Sequence, residues 1–250
     1  MICFLCIVCG LHYLCNMISR NKIKLIRSLE TRKGREKSGL FLAEGPKVVG
    51  DLRAAGFTAE MIIDDDADVR QVSLLQHPQG MVGVFRIPDV KADAMPDTSK
   101  LSLALDGVQD PGNVGTIIRI ADWFGIEDLY CSRQTADCWN PKVVQATMGS
   151  IARVRVHYTD LVSMVGSLPD DYPVYGTLLE GKDIYQSELS DRGLVVMGNE
   201  GNGISEALRD RVTNALLIPN YPKGRPTADS LNVAIATAIT CAEFRRRMNG

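Results

Sequence analysis

Three separated segments contain the residues best suited to chemistry. They span residues 106–119, 198–205 and 218–234. Each follows an apolar run that predicts a strand, and each leads into a helical pattern. Because α/β proteins gather a ligand site at the C-terminal ends of parallel strands, we expect the three segments to meet at one site.

The first segment combines a tight turn with an unusual arginine. Pro111 and Gly112 indicate a turn, and Asn113 stands at the start of a helix, where asparagine is a good N-cap. Arg119 lies in an otherwise apolar stretch. A buried guanidinium is costly unless it is paired or faces an anion, so we interpret Arg119 as a functional residue. The alternative is a side chain that extends along the surface to water.

The second segment has three glycines within six residues, from Gly198 to Gly203. Its backbone can approach a ligand closely and offer N–H groups at the start of the next helix. The spacing fits neither a dinucleotide fingerprint nor a P-loop, since no lysine with serine or threonine follows. Glu200 is a candidate partner for Arg119 or for a ligand hydroxyl, and its alternative interpretation is an exposed loop carboxylate.

The third segment places Ser230 and Asn232 at the entry to a long helix of small apolar residues. Ser230 could simply be the N-cap of that helix. Asn232 falls inside the predicted first turn, where helix propensity does not explain it. The helix itself is predicted to pack in the core or against a second copy of the chain.

The composition is that of an ordinary globular protein with one basic stretch. The 250 residues are 45% hydrophobic and 23% charged, with a net charge of −2, which argues against a generally basic nucleic-acid binder. Residues 17–50, however, hold nine lysines and arginines against three glutamates. Such a stretch fits either phosphate binding or a solvated charged helix. The candidate phosphate-binding residues, which would contact RNA if the partner is a nucleic acid, are Arg20, Lys22, Arg32, Lys33, Arg35 and Lys37.

The order of elements predicts two domains. Residues 1–16 form an apolar stretch without basic flank, which we interpret as an extension upstream of a functional start at Met17. They are too few for a membrane span. Cys3, Cys6 and Cys9 lack a good fourth ligand, so we predict no metal. The other cysteines indicate reduced thiols of a cytoplasmic protein.

Residues 17–87 alternate strand and helix and predict a small α/β domain, and residues 88–97 indicate a linker. Residues 98–250 predict a mostly parallel sheet covered on both faces. Its predicted strands are 101–105, 128–131, 154–157, 174–178, 194–197 and 215–218. Its predicted helices are 114–124, 142–148, 160–167, 205–212 and 231–248. Three arginines end the last helix, where cations suit the helix dipole.

In order and spacing, the three segments resemble the motifs of the SpoU (TrmH-type) RNA ribose 2′-O-methyltransferases, and residues 98–250 resemble their catalytic domain throughout. Residues 17–87 resemble the family's substrate-binding domain, which is similar to the ribosomal protein L30e fold. The resemblance implies a trefoil-knotted (SPOUT) α/β methyltransferase domain, S-adenosylmethionine as cofactor and a homodimer with the active site near the subunit interface. It implies cofactor contacts from Thr177, Gly198, Gly203, Ile218 and Leu231. The catalytic set that it implies is Asn113, Arg119, Glu200, Ser230 and Asn232.

We therefore expect methyl transfer to a ribose 2′-hydroxyl, with ribosomal RNA as the first choice of substrate and transfer RNA as the second. A guanidinium stays protonated in proteins, so Arg119 is expected to stabilise an oxyanion or a phosphate and not to act as a base. The alternatives are a base methyltransferase of the same knotted kind, an RNA-binding assembly factor with a relic methyltransferase domain, and a nucleotide-binding oxidoreductase. The missing dinucleotide fingerprint disfavours the last.

Overall fold

The computed structural model describes residues 18–89, 94–222, 225 and 228–248. The predictions for residues 1–16, including the three closely spaced cysteines, lie outside the described residues. The chain divides into two compact units, and the boundary falls between Ile87 and Pro88. Among the residues that the structure describes, no helix has both the length and the apolar character needed to cross a bilayer.

The N-terminal unit is built on a three-stranded antiparallel sheet with the strand order β1-β3-β2. A cluster of aliphatic residues packs between the sheet and helices α1 and α4, and Phe41 and Phe85 are buried and stacked against each other in the rest of the core. The strands are β1 (Leu40–Glu44), β2 (Ala59–Ile63) and β3 (Val82–Arg86). The helices are α1 (Arg20–Ser28), α2 (Arg32–Ser38), α3 (Pro46–Ala54) and α4 (Asp66–Val72). The predicted small α/β domain is confirmed, and α2 and α4 are additions to it.

Arg35 is a structural residue of this unit. Its side chain is 2% exposed, and Nη1 donates hydrogen bonds to the carbonyls of Leu29 (2.7 Å) and Glu30 (3.0 Å). The guanidinium thus satisfies carbonyls that the end of α1 leaves without helical partners. A buried side chain cannot offer its charge to RNA from this position, which corrects its place in the predicted RNA-binding set. Arg20, Lys22, Arg32, Lys33 and Lys37 are exposed.

The C-terminal unit is built on a six-stranded sheet in which every neighbouring pair is parallel, with the order β6-β5-β4-β8-β7-β9. The strands are β4 (Leu101–Asp106), β5 (Asp128–Cys131), β6 (Arg155–Tyr158), β7 (Val174–Asp183), β8 (Gly193–Gly198) and β9 (Asn214–Leu217). The helices are α5 (Pro111–Trp123), α6 (Pro141–Ala146), α7 (Leu161–Gly166), α8 (Glu206–Arg209) and α9 (Val233–Met248). This confirms the predicted parallel α/β architecture.

Helices cover both faces of this sheet. On one face, Ala104 and Val196 pack in a cluster with Leu161 of α7 and Leu208 of α8. On the other face, the rings of Tyr175 of β7 and Phe244 of α9 pack edge to face, and α9 packs against α5. Adjacent positions of β4 and β8 face opposite sides and both are buried, which explains why these strands are continuous apolar runs.

Three boundaries differ from the prediction in ways that affect the site. Helix α8 is a single turn that ends at Arg209, because Thr213 must donate its N–H to Val174 at the start of β7. Strand β7 continues to Asp183 through an irregularity opposite β9. Helix α9 begins at Val233, two residues later than predicted.

Candidate active site

The three chemical segments meet in one chain of side-chain hydrogen bonds. Asn113 Nδ2 donates to Glu200 Oε1 at 2.9 Å, and Asn232 Nδ2 donates to Asn113 Oδ1 at 2.9 Å. Strands β4 and β8 are adjacent in the sheet, so the segments that leave them emerge side by side. The Glu200–Asn113–Asn232 chain therefore joins one polar residue from each predicted motif.

The helix caps explain why the side chains of these two asparagines are available for the Glu200–Asn113–Asn232 hydrogen bonds. Asp110 is the N-cap of α5 and accepts the N–H of Asn113 at 2.8 Å, so the side chain of Asn113 is not needed as a cap. Asn232 does cap α9, since its Oδ1 accepts the N–H of Ala234 at 2.9 Å. That corrects the prediction that Asn232 lies inside the first turn, and it excludes the alternative in which Ser230 is only the N-cap of α9.

Arg119 stands apart from this chain. Its side chain is exposed, which corrects the expectation of a buried guanidinium, and it forms no hydrogen bond or ion pair with any residue that the structure describes. Its neighbours Ile117 and Ile118 are buried on the opposite face of α5. Six residues separate Arg119 from Asn113, about 9 Å along a helix axis. The partner of Glu200 is Asn113 and not Arg119.

Asn199 builds the turn that carries Glu200. Its backbone N–H and C=O both pair with Gly203 at 2.9 Å. Its Oδ1 accepts the N–H groups of Gly201 (2.9 Å) and Asn202 (3.0 Å), and its Nδ2 donates to the carbonyl of Gly107 at 2.6 Å. The sequence prediction missed Asn199, although an asparagine before a glycine-rich loop is a common signal for such a turn.

Gly198 is required by the closeness of this turn. A Cβ added at Gly198 would lie 2.3 Å from the carbonyl carbon of Gly203 and 2.4 Å from the nitrogen of Ile204. Both atoms belong to the backbone, so neither can rotate away. Any other residue at this position would force the turn open.

A cavity of about 520 Å³ lies at the C-terminal ends of β7, β8 and β9, and we call it the main cavity. Its lining includes all five predicted cofactor residues, namely Thr177, Gly198, Gly203, Ile218 and Leu231. Glu200 and Ser230 of the predicted catalytic set also line it, whereas Asn113, Arg119 and Asn232 do not. That these residues bind a cofactor or act in catalysis stays a prediction.

The irregularity in β7 contributes residues that the prediction missed. Beyond Thr177 the pairing with β9 slips, and residues 178–180 line the main cavity. A Cβ at Gly181 would lie 2.4 Å from the backbone of Leu216, so glycine allows the strand to return to β9. A bulge of this kind redirects side chains next to a site.

The lining of the main cavity is largely apolar and carries three acidic residues, Glu180, Glu200 and Asp229, against one arginine, Arg209. Leu178, Met197 and Leu216 contribute aliphatic surface, and Leu231 is half exposed. Backbone groups of the 198–203 turn lie at its edge together with the carboxylates of Glu180 and Glu200. Such a cavity suits a small ligand with an apolar ring, polar edges and a positive charge.

The cysteines of the described residues are structural. Cys131, Cys138 and Cys241 are buried free thiols, and burial raises the pKa of the Cys241 thiol to about 12, so it is no nucleophile at neutral pH. Within the described ranges, no three potential metal ligands cluster together.

The arginines that end α9 are also structural. Arg245 Nε donates to the carbonyl of Phe124 at 2.7 Å, and Arg247 Nη2 donates to the carbonyl of Tyr185 at 2.6 Å. Arg246 pairs with Glu243, and this hydrogen bond is the largest cause that lowers the pKa of Glu243 to about 2.

Comparison with protein families gives two matches. The SpoU rRNA Methylase family matches residues 100–242, and the MRM3-like substrate binding domain matches residues 20–77. The first match alone spans more than half of the chain and contains the three motif segments.

Individual relatives match over nearly the whole chain. The 23S rRNA (guanosine(2553)-2′-O)-methyltransferase RlmP of Bacillus subtilis is 32% identical over 245 residues, which cover 90% of this chain and 96% of the relative. A solved TrmH-family structure from Porphyromonas gingivalis is 38% identical with a TM-score of 0.81 and covers 92% of this chain and 99% of its own. An AdoMet-bound rRNA methyltransferase from Sinorhizobium meliloti is 28% identical with a TM-score of 0.83, covering 93% and 97%.

Proposed function

The chain belongs to the SpoU rRNA methylase family, and from that membership we propose that it transfers a methyl group from S-adenosylmethionine to a ribose 2′-hydroxyl of ribosomal RNA. The observation that carries the proposal is the Glu200–Asn113–Asn232 chain, because its Glu200 end lines the main cavity. The relative from Bacillus subtilis bears the same activity in its name. A ribosomal substrate also fits the expected location in the cytoplasm.

The residues that line the main cavity fit the chemical groups of S-adenosylmethionine. Leu178, Ile218 and Leu231 offer apolar surface for an adenine ring, and the turn backbone offers hydrogen bonds to its edge. Glu180 and Glu200 place negative charge near a ligand whose sulfur and amine are positive. When bound, the cofactor supplies an electrophilic methyl group.

The side chains of the site then have separate tasks. Glu200 Oε1 is engaged by Asn113, while its second oxygen accepts no hydrogen bond from the described residues and is available to a ribose hydroxyl. Asn113 and Asn232 hold Glu200 in place, and Ser230, which also lines the main cavity, orients the ribose. Orientation of reacting atoms supplies a large part of such rate enhancements. Arg119 stabilises the developing oxyanion or the adjacent phosphate.

We propose a homodimer in which Arg119 serves the site of the partner subunit. Within its own chain, Arg119 is exposed and stands about two helical turns from Asn113. Trp123, one turn further along the same helix surface, is 84% exposed. An indole exposed to this degree is unusual on a monomer surface and is typical of an interface.

Methyl transfer to defined RNA tests the reaction. Labelled S-adenosylmethionine is incubated with ribosomal and transfer RNA from cells that lack the protein, and 2′-O-methyl sites are mapped. We expect one new ribose methylation in ribosomal RNA. Arg119→Ala should retain cofactor affinity and lose most turnover, while Arg211→Ala at the opposite end of the sheet should behave as the wild type. Methylation of transfer RNA alone, or cofactor binding without transfer to any RNA, would contradict the proposal.

Mixing two inactive variants tests the shared site. Arg119→Ala and Asn113→Ala protomers are co-expressed with different affinity tags, and the doubly tagged dimer is purified. If Arg119 serves the partner's site, each mixed dimer has one intact site, so about half of the wild-type rate returns. If both residues act within one chain, the mixed dimer stays inactive. A monomer in solution would overturn the dimer directly.

The exposed basic residues of α1 and α2 are proposed to bind RNA phosphates. The match of residues 20–77 to a substrate binding domain supports this, as does the excess of basic residues. Reversing the charges of Arg32 and Lys33 should weaken RNA binding and flatten its salt dependence. The matched control reverses Arg53 and Arg70, which are equally exposed on α3 and α4. Equal salt slopes for both double variants would exclude this surface.

A further inference from the structure

A second cavity of about 420 Å³ lies at the C-terminal ends of β4, β5 and β6, and we call it the lateral cleft. It is separated from the main cavity by the 199–203 turn, since Asn199, Asn202 and Gly203 line both. None of the predicted catalytic residues lines it. The inference below rests on the proposed function, because it concerns the RNA that the main site would methylate.

The cleft has an apolar floor and a polar rim. Leu161 and Leu208 are buried at its base. The side chains of Gln109, Arg133 and Gln134 line the rim, are exposed, and form no hydrogen bond or ion pair within the described part of the chain. Exposed amide and guanidinium side chains that follow β4 and β5 therefore line one space, and none of them is held by a hydrogen bond from the described residues.

The charge of the cleft disfavours a phosphate. Asp106 and Asp160 also line it, against one arginine. Asp106 Oδ2 accepts the N–H of Ser205 at 2.8 Å, and Asp160 Oδ1 accepts the N–H of Ser163 at 2.9 Å. The hydrogen bond from Ser163 is the largest cause that lowers the pKa of Asp160, and Arg133 acts in the same direction. Both carboxylates are thus fixed in place, and Asp160 stays charged at neutral pH.

We propose that the lateral cleft receives an unpaired nucleobase of the RNA strand next to the methylated ribose. A base is neutral and planar, so its face can lie on the aliphatic floor while its edge meets Gln109, Arg133 and Gln134. Side-chain amides and guanidinium groups are the usual readers of base edges. Sequence-specific RNA recognition depends mainly on such unstacked bases.

The 199–203 turn lies between the lateral cleft and the main cavity, so a base bound in the cleft is close to the ribose at the main site. The ribose lies on the Glu200 side of the turn, and the base lies on the other side, so one short loop holds both. Phosphate contacts supply affinity without sequence information, whereas base contacts select the site. The cleft would therefore decide which ribose is methylated, while the basic residues of α1 and α2 hold the RNA.

Arg133→Ala and Gln134→Ala are the test variants, and Arg211→Ala is the control with the same change of charge and size. Each good base-edge contact contributes about 10- to 100-fold in discrimination, so we expect Arg133→Ala to lower kcat/KM for RNA by about that factor. Cofactor affinity, measured calorimetrically, should stay within about twofold of the wild type because the main cavity is unchanged. A parallel loss of cofactor affinity and melting temperature would show a structural role and overturn the proposal.

Abasic RNA identifies the base. Fragments lacking the base of the methylated nucleotide, or that of either neighbour, are compared in wild type and Arg133→Ala. At the position whose base binds in the lateral cleft, removal of the base should lower the kcat/KM of the wild type as much as Arg133→Ala does. The kcat/KM of Arg133→Ala should not fall further when that base is removed. If base removal and Arg133→Ala lower kcat/KM additively at every position, the proposal is refuted.

The two hypotheses fail in different ways. If the wild type transfers no methyl group, the proposed function fails. Ultraviolet cross-linking of ribosomal RNA fragments then tests the cleft by itself. A base cross-linked to residues 132–134 supports the inference, and cross-links confined to other peptides overturn it.

Discussion

Replacing Asn113 with aspartate tests the hydrogen-bond chain with almost no change in shape. Asn113 donates to Glu200 at 2.9 Å and accepts from Asn232 at 2.9 Å. Asn113→Asp keeps the acceptor for Asn232 but replaces the donor with an oxygen. The variant therefore brings two carboxylates to hydrogen-bond distance, where they cannot both stay ionised without a cost.

The size of this cost follows from the distance. Two unit charges 2.9 Å apart repel by about 1.4 kcal/mol even in bulk water, which is about one pKa unit. Loss of a hydrogen bond to a charged group adds about 1.5 to 3 kcal/mol. We expect kcat/KM to fall by about 100- to 1,000-fold near neutral pH if this geometry is needed in the transition state.

The sign of the pH dependence is fixed. Repulsion between the two carboxylates raises the pKa of one of them above its value in the unfolded chain. The activity of the variant is therefore low when both groups are charged and rises when one is protonated. Because the shift is about one pKa unit above the ordinary carboxyl range, the deficit relative to the wild type should be constant between about pH 7 and 8.5 and should shrink as the pH falls from about 6 to 5. Initial rates of methyl transfer across this range, with the wild type measured at each pH, give the ratio.

A compensating variant sharpens the result. Asn113→Asp combined with Glu200→Gln restores one donor and one acceptor with reversed polarity, and it should flatten the pH dependence. Asn214→Asp, at the start of β9 and away from the site, controls for the added charge. If Asn113→Asp keeps wild-type activity at all pH values, the chain of hydrogen bonds has no role in the reaction and the reasoning is refuted.

Other substitutions test the packing of the site and of both units. Gly198→Ala places a Cβ 2.3 Å from backbone, so calorimetry should detect loss of cofactor binding; wild-type affinity would contradict the tight turn. Arg35→Ala should lower the unfolding free energy of the N-terminal unit by about 2 to 4 kcal/mol in urea, against under about 0.5 for the exposed Arg32→Ala; equal effects would contradict its buried role. Because Arg246 lowers the pKa of Glu243, that pair stabilises the fold above about pH 4.5 and less as pH falls towards 2. Glu243→Gln should thus lower the melting temperature at neutral pH with a gap that narrows in acid; a pH-independent gap would contradict this.

Strands β4 and β8 could be predicted because burial on both faces makes each one a continuous apolar run. At residues 128–131 the predicted and observed strands coincide. Helices α2 and α4 were not predicted because they are short and largely polar, and their caps, Thr31 and Asp65, are local signals that the apolar pattern does not contain.

The site was predictable where backbone chemistry defines it and less so where tertiary contacts do. The glycine-rich turn and the ends of β8 and β9 follow from the apolar pattern, whereas the five residues that surround the main cavity were implied by the family resemblance. The extension of β7 depends on its pairing with β9, which no local pattern records. The burial of Arg119 was misjudged because the neighbouring isoleucines suggested a buried segment, although the helical period turns Arg119 outward.

The hydrogen bonds of the site join residues that are 87 and 119 positions apart in the chain. Contacts of such high sequence separation cannot form during the early, local stages of folding. The last of them needs α9, the final helix of the described chain, to be docked. During synthesis from the N-terminus, the ribosome must therefore release the polypeptide as far as α9 before the Glu200–Asn113–Asn232 hydrogen-bond chain can close. A nascent chain that lacks α9 can form the Asn113–Glu200 hydrogen bond but not the contact from Asn232, so the site is assembled late in folding.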